Sequence, residues 1–214
     1  MPRLTRGFFD QPTLQVARTL LGQRLVRLRD GERLAGLIVE TEAYLGEADL
    51  ACHARVGKTP RTAVMYTAPG HAYVYFTYGM HHCLNLVTGT AGKASAVLVR
   101  ALEPVEGGEL MRERRGTGAT TRLARGPGNV ARALGLTRAH DGLDLAGGPL
   151  WLSDLPPRRS GHRIARGPRI GIRVALDRDW RWFLEGHPCV SAPGGAAPRV
   201  GRVRVRRTAS RMRG

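Results

Sequence analysis

The sequence predicts a single mixed domain of the α/β class, α+β in type, on three observations. Two turn signals, Asp30-Gly31 between residues 23–29 and 34–44 and Tyr78-Gly79-Met80 between Ala72–Thr77 and His81–Val87, call for hairpins and hence antiparallel strand pairs. Short stretches with helical apolar spacing and helix-ending glycines stand between and after them. The chain has 214 residues, 42% hydrophobic and 24% charged, which suits one large globular domain able to bury a substantial core.

Asp10 and Pro12 open the first helix, in which Leu14, Ala17 and Leu21 recur at helical spacing with Leu20 beside them, and Gly22 ends it. The first hairpin follows. In an extended 37–44 segment side chains alternate, so Ile38, Glu40, Glu42 and Tyr44 share one face and Leu37, Val39, Thr41 and Ala43 the other. A carboxylate and a tyrosine therefore project together. Residues 45–70 have little periodicity, and a loop of that length in a compact domain is usually functional or disordered. In the second hairpin Tyr73 and Tyr75 share one face, Val74 and Phe76 the other. Residues 94–102 read as a strand, 106–115 as a helix, 116–121 as a flexible loop, and 129–134 as a helix preceded by Gly126-Pro127-Gly128. Residues 150–153 and 169–174 are the last strand candidates. From Gly194 the chain turns small and basic, with seven arginines between Arg199 and Arg213, and no internal repeat is present.

A formal net charge of +17 implies a polyanionic partner, nucleic acid ahead of an acidic membrane surface. No apolar run approaches the ~18 residues needed to span a bilayer. Of 34 basic residues only Lys58 and Lys93 are lysines. The start, Met1-Pro2-Arg3-Leu4-Thr5-Arg6-Gly7, lacks the apolar core of a secretory signal. Cys52, Cys83 and Cys189, odd in number and widely spaced, read as reduced thiols and not as a disulfide framework or a zinc site. A cytoplasmic protein with no metal is the expectation.

Glu42, flanked by Val39, Ala43 and Tyr44, would sit on a half-buried face, where desolvation raises a carboxyl pKa toward that of a general base. A strand glutamate paired with one of the many arginines is the plainer alternative. Tyr44, Tyr75 and His53 are flat groups able to sandwich a nucleobase, although core tyrosines at strand spacing are commoner. Tyr78, beside Gly79 and Met80 at a hairpin tip, has no evident core to join, which fits a wedge entering a DNA base step. Arg100 at a strand end is placed to contact phosphate or to orient Glu42. Gly126-Pro127-Gly128 offers backbone N–H groups to a phosphate, or is simply a helix start.

Residues 36–61, 73–85 and 97–104, with Glu40-Thr41-Glu42-Ala43-Tyr44 and Tyr73-Val74-Tyr75-Phe76-Thr77-Tyr78-Gly79-Met80 at their centre, resemble the alkyladenine (3-methyladenine) DNA glycosylases. The likeness extends to Gly22-Gln23, Gly126-Pro127, Arg169-Ile170-Gly171 and Trp180, from about Phe8 to Ser191. It implies a glycosylase domain over residues 1–198, with a curved, mainly antiparallel sheet, surrounding helices and a protruding hairpin, and a basic tail over 199–214. The implied activity is flipping of alkylated purines from duplex DNA and hydrolysis of the N-glycosidic bond. Glu42 matches the family's general base, and Arg100 the arginine that holds the attacking water and the nearby phosphate. Ile170 falls where a backbone carbonyl completes the water's shell. Tyr44, His53 and Tyr75 match the residues that enclose the flipped base, and Asn85 the one that crowds the exocyclic amine of guanine. Tyr78, with Met80, matches the intercalating group, and Arg61, Gly126 and Pro127 are expected on the DNA backbone. Neither Lys58 nor Lys93 lies at a matched site position, so a monofunctional hydrolase leaving an abasic strand is implied. No cofactor is expected; the partner is double-stranded DNA with damaged purines, met by a monomer at the nucleoid. The competing readings are a non-catalytic basic nucleic-acid-binding protein, which leaves Glu42 unexplained, and a sugar- or nucleotide-modifying enzyme using Gly126-Pro127-Gly128 as its phosphate loop.

Overall fold

β-branched and aromatic residues at alternate positions give this chain its strands, and glycines at positive φ turn it between them. The computed structural model describes residues 2–191. Within that span strands β1 (Arg24–Arg29), β2 (Glu32–Tyr44), β3 (Ala72–Thr77), β4 (His81–Val87), β5 (Ala96–Glu106), β6 (Leu150–Leu152), β7 (Ile164–Gly167) and β8 (Arg181–Leu184) form one eight-stranded sheet. Its main order is β3-β4-β5-β2-β1-β6, and every pairing is antiparallel. The helices are α1 (Arg6–Phe9), α2 (Thr13–Thr19), α3 (Gly108–Arg115) and α4 (Pro127–Leu134). The result is the single α+β domain expected from the hairpin signals. The tail at 199–214 lies outside the described residues.

β2 is the spine. On one side it pairs with β5 along most of its length; on the other, its first half pairs with β1 and its second half, Glu40–Glu42, with Phe183–Arg181 of β8. The sheet therefore forks at β2. Register shifts against β5 between Ile38 and Thr41 mark a β-bulge there, which bends a strand and increases its twist.

The two faces of the sheet have different covers. Val74, Leu84, Leu86, Val97, Val99 and Ala101 point to a main core shared with Val16, Ala17 and Leu20 of the α2 region and with Val130, Ala131 and Leu134 of α4. Thr41 donates from Oγ1 to the Ala17 carbonyl at 2.8 Å, fixing α2 on β2. On the opposite face Tyr73, Val87 and Ala96 join Cys52, Ala54 and Met65 in a smaller cluster, with Tyr44 and Tyr75 packed against it. Residues 45–70 are this second cover. They carry three single 3₁₀ turns, Gly46–Ala48, His53–Val56 and Ala63–Tyr66, so the segment is ordered.

Three expectations are corrected. Residues 169–174 are not a strand: Gly171 has φ +79° and none of the six joins a β-ladder, so the alternation of Ile170, Ile172 and Val174 imitates a strand only in sequence. The strands of this region are β7 and β8. The helix expected from residue 106 starts at Gly108, because Glu106 still pairs with Ala35 and Gly107, at φ +73°, turns the chain. Ile38 does not share the face of Glu40, Glu42 and Tyr44; the bulge puts it with Val39 in the main core.

Candidate active site

Glu40, Glu42 and Tyr44 follow the bulge on one face of β2, opposite Leu98 and Arg100 of β5, and this is where charge is concentrated. Glu42 is inaccessible to solvent. Its Oε1 accepts the Ile170 N–H at 2.7 Å and lies 3.1 Å from Arg100 Nη1, and its Oε2 accepts the Tyr44 O–H at 2.8 Å. Burial pushes its pKa above the ordinary carboxylate value, against the pull of Arg100 and of the Ile170 and Tyr44 hydrogen bonds. Tyr44 keeps its proton, since burial and the adjacent Glu42 raise its pKa well above 10.0.

Arg100 is held from behind. Its Nε donates to Glu40 Oε1 at 3.2 Å, and Glu40 also accepts from Arg181 Nε at 2.6 Å and from Ser191 N–H and O–H at 2.8 and 2.6 Å. Burial works against the Arg100 charge, but Glu42 and Glu40 raise its pKa. Two carboxylates thus share one guanidinium, and the second is anchored by β8 and the segment after it.

A cleft of about 620 Å³ opens over this group, within the roughly 300–1,000 Å³ typical of small-molecule sites. Tyr44, His53, Tyr75, Asn85, Arg100 and Ile170 line it together. His53 meets the Tyr75 ring edge-on with centroids 4.4 Å apart, and its Nδ1 is hydrogen-bonded to the Tyr73 hydroxyl at 3.1 Å. Burial, and then the Arg61 charge, lower the His53 pKa to about 4, so the imidazole is neutral at physiological pH. Asn85 is buried and donates Nδ2 to the Tyr73 carbonyl at 3.2 Å. The aromatic part of the wall, Tyr44, His53 and Tyr75, is therefore uncharged, Arg61 and Arg100 bring positive charge to the lining, and Glu42 lies just beneath it, bonded to the lining residues Tyr44, Arg100 and Ile170.

Tyr78 is 80% exposed and stands at the mouth of the cleft on a left-handed backbone, φ +51°, followed by Gly79 at +65°. Met80 and Phe76 are exposed beside it on the same hairpin. Arg61 lines the cleft with its guanidinium 5.5 Å from the Tyr75 ring centroid. Pro127, the first residue of α4, also lines it; Gly126 is the residue before, at φ +97°, and neither it nor Met80 reaches the lining. Gly128 packs so closely on His81 that a Cβ there would come within 3.0 Å of the imidazole, which ties α4 to the hairpin next to its turn.

These geometric features carry a counterpart in sequence comparison. The family described as methylpurine-DNA glycosylase matches residues 7–188. The chain belongs to that family. Among similar methylpurine-DNA glycosylases, a protein of Methanocella arvoryzae named "Putative 3-methyladenine DNA glycosylase" is 49% identical over 201 residues, 91% of this chain and 99% of its own. Proteins with the same name from Chlorobium phaeovibrioides, 48% identical over 89% of this chain and 97% of theirs, and from Anaeromyxobacter dehalogenans, 47% over 92% and 90%, are similar to it as well.

The residues that support Glu42 are dispersed along the chain. Glu40 was visible as the period-two neighbour of Glu42, but Arg181 and Ser191 come from distant segments. Asp49 and Arg169 form a buried ion pair, Nη1–Oδ2 2.5 Å and Nη2–Oδ1 2.8 Å, behind Tyr44. Both stand in segments that carry the family resemblance, but only their contact across 120 residues pairs them.

Proposed function

We propose that this methylpurine-DNA glycosylase releases alkylated purines, 3-methyladenine and 7-methylguanine in class, from double-stranded DNA by hydrolysing the N-glycosidic bond, with Glu42 as the general base. The observation that carries the reading is a carboxylate with no solvent access, bonded to Tyr44, Arg100 and Ile170 where these three line an aromatic cleft, on a chain of charge +17. The flipped base lies between Tyr44, His53 and Tyr75, where stacking contributes about 1–3 kcal/mol per base. Tyr78, with Met80, fills the vacated stack. Asn85 crowds the exocyclic amine of guanine, while Arg61 and the α4 start at Gly126-Pro127 meet the DNA backbone. The enzyme acts as a monomer on chromosomal DNA in the cytoplasm.

As the bond from C1′ to the base nitrogen breaks, its electron pair leaves with the base and positive charge develops on the sugar. A carboxylate beside that charge stabilises it and takes the proton of the water whose oxygen bonds to C1′. Arg100 and the backbone at Ile170 hold that water. An N3- or N7-alkylated purine is already cationic and departs neutral, so no acid is required for it. His53, uncharged above about pH 4, adds no positive charge against such a base. Glu42 must be ionised to act, and burial raises its pKa, so the rate falls on the acid side with a midpoint above the ordinary 4.5.

The test is Glu42→Gln in single-turnover release of 3-methyladenine from methylated duplex DNA. The rate should fall by about 10²–10⁴, the usual contribution of a general base, with affinity for lesion duplex kept within about threefold. Equal rates would remove Glu42 from the mechanism and favour a protein that binds DNA by charge alone.

A further inference from the structure

We propose that Arg169 is a positioning residue for the reaction: by gripping Asp49 and the back of Tyr44 it holds both hydrogen-bond donors of the Glu42 carboxylate in place. This rests on the reading of Glu42 as the base. Arg169 does not itself line the cleft. Its side chain is fully buried, bonded bidentately to Asp49, and Nη1 also donates to the Ala43 carbonyl at 3.0 Å. Its guanidinium lies 4.7 Å from the Tyr44 ring centroid and 5.1 Å from that of Trp180, with Arg178 4.6 Å from Trp180 in turn. Tyr44 is thus the inner end of an alternating stack of rings and guanidinium groups, and its O–H points at Glu42 Oε2.

The residue after Arg169 supplies the other donor, the Ile170 N–H at 2.7 Å from Glu42 Oε1. Residues 169–174 belong to no strand, so no ladder of backbone bonds fixes that N–H. What fixes it is the side chain one residue before. Asp49 completes the device from the second cover: its Oδ atoms also accept the N–H groups of Leu45 and Ala51, so the loop, the strand end and the 169–174 segment meet on one ion pair. The guanidinium plane is what the site requires, since an ammonium neither forks onto a carboxylate nor stacks.

The charged and titratable groups facing Glu42 are Glu40 and Tyr44 on β2, Arg100 on β5, Tyr75 on β3, Cys83 on β4 and Arg169. Loss of the Ile170 N–H leaves all but one of these unchanged while withdrawing a bond that favours the ionised carboxylate. The Glu42 titration should then move upward.

The experiment compares Arg169→Lys, Asp49→Asn and the double variant with the unmodified protein. One measurement is a carbon-13 NMR titration of Glu42, its resonance identified by its disappearance in Glu42→Gln; the other is single-turnover release from methylated duplex DNA alongside duplex affinity. Each single variant should raise the Glu42 midpoint by about half to one pH unit, as expected for one lost charge-assisted bond. Each should slow release about 10- to 100-fold with affinity changed less than threefold, and the double variant should add little to either. A Glu42 midpoint and a release rate both unchanged in folded variants, with only thermal stability lowered, would make the ion pair a structural brace and overturn the proposal. Failure of the unmodified protein to release base would refute the reading of Glu42, and the NMR shift would still decide whether Arg169 positions it. Should Arg169→Lys not fold, Asp49→Asn, which keeps size and shape, gives the same answer.

Discussion

At the closed end of the cleft every oxygen of Glu40 and Glu42 meets a protein donor, while at its open end Tyr78 and Met80 are 80% and 69% exposed on a hairpin tip held by a left-handed turn. The closed end is assembled from β2, β5, β8 and the 169–174 segment, so its geometry is fixed by several parts of the chain at once. The open end depends on β3 and β4 and on α4 beneath them. Under the proposed function the contrast separates two tasks. Bond cleavage needs groups preset where charge develops, because reorganisation at that moment raises the barrier. Recognition of a base stack needs apolar surface that is free before DNA arrives, so it must stay unsatisfied in the isolated protein.

The contrast breaks most visibly at Arg100. Arg100→Gln should lower single-turnover release by about 10²–10³, the usual effect of deleting one preorganised electrostatic group. Because the change leaves Glu40 and Glu42 buried without their shared cation, the melting temperature should fall as well, and a variant that keeps its stability would show the pairing to be dispensable. Tyr78→Ala sharpens the comparison from the other side. Lesion-duplex affinity should weaken by about tenfold, in keeping with the loss of one stacking contact, and base flipping reported by a fluorescent base analogue should weaken more than nonspecific binding. The melting temperature should not move by more than about 1 °C, since an exposed residue away from buried networks contributes little.

The smallest effect expected is a pH dependence of stability at His53. The unfolded chain binds a proton at this residue as pH falls below 6.5, whereas the folded chain does so only near 4. Folding is therefore favoured in full above the upper value, and that share is lost progressively as pH falls through the window. In His53→Gln the loss of melting temperature between about pH 7 and about pH 5 should be smaller than in the unmodified protein. An identical loss would assign the acid sensitivity to other groups.

Local signals made the frame legible and long-range ones did not. Asp30-Gly31 and Tyr78-Gly79-Met80 sit at the hairpin turns they suggest, and the alternation of Tyr73 and Tyr75 with Val74 separates the two faces of β3 as expected. β7 and β8 escaped notice because each has four residues and begins or ends among arginines, too short for a period-two pattern to stand out. Glu42, Tyr44 and Arg100 could be picked out by residue type and spacing. Their support could not, since Glu40 meets Arg181 and Ser191 across 141 and 151 residues and Asp49 meets Arg169 across 120. Contacts of that span leave no mark in a single sequence.

The paired irregularity that leaves Val39 of β2 and Arg100 of β5 out of the ladder decides which way the acid points. Upstream of it the strand obeys the alternation of the β1 hairpin, downstream that of β8, and the two halves are out of phase by one position. Deleting Val39 would bring the two halves of β2 into step and turn position 42 toward the apolar α2 side that Thr41 now occupies, while shifting β2 by one residue against β5, which keeps its own irregularity at Arg100. Anyone transplanting this acid onto another scaffold would have to carry the irregularity with it, because a perfectly regular strand presents either its oil or its chemistry to the wrong half of the fold.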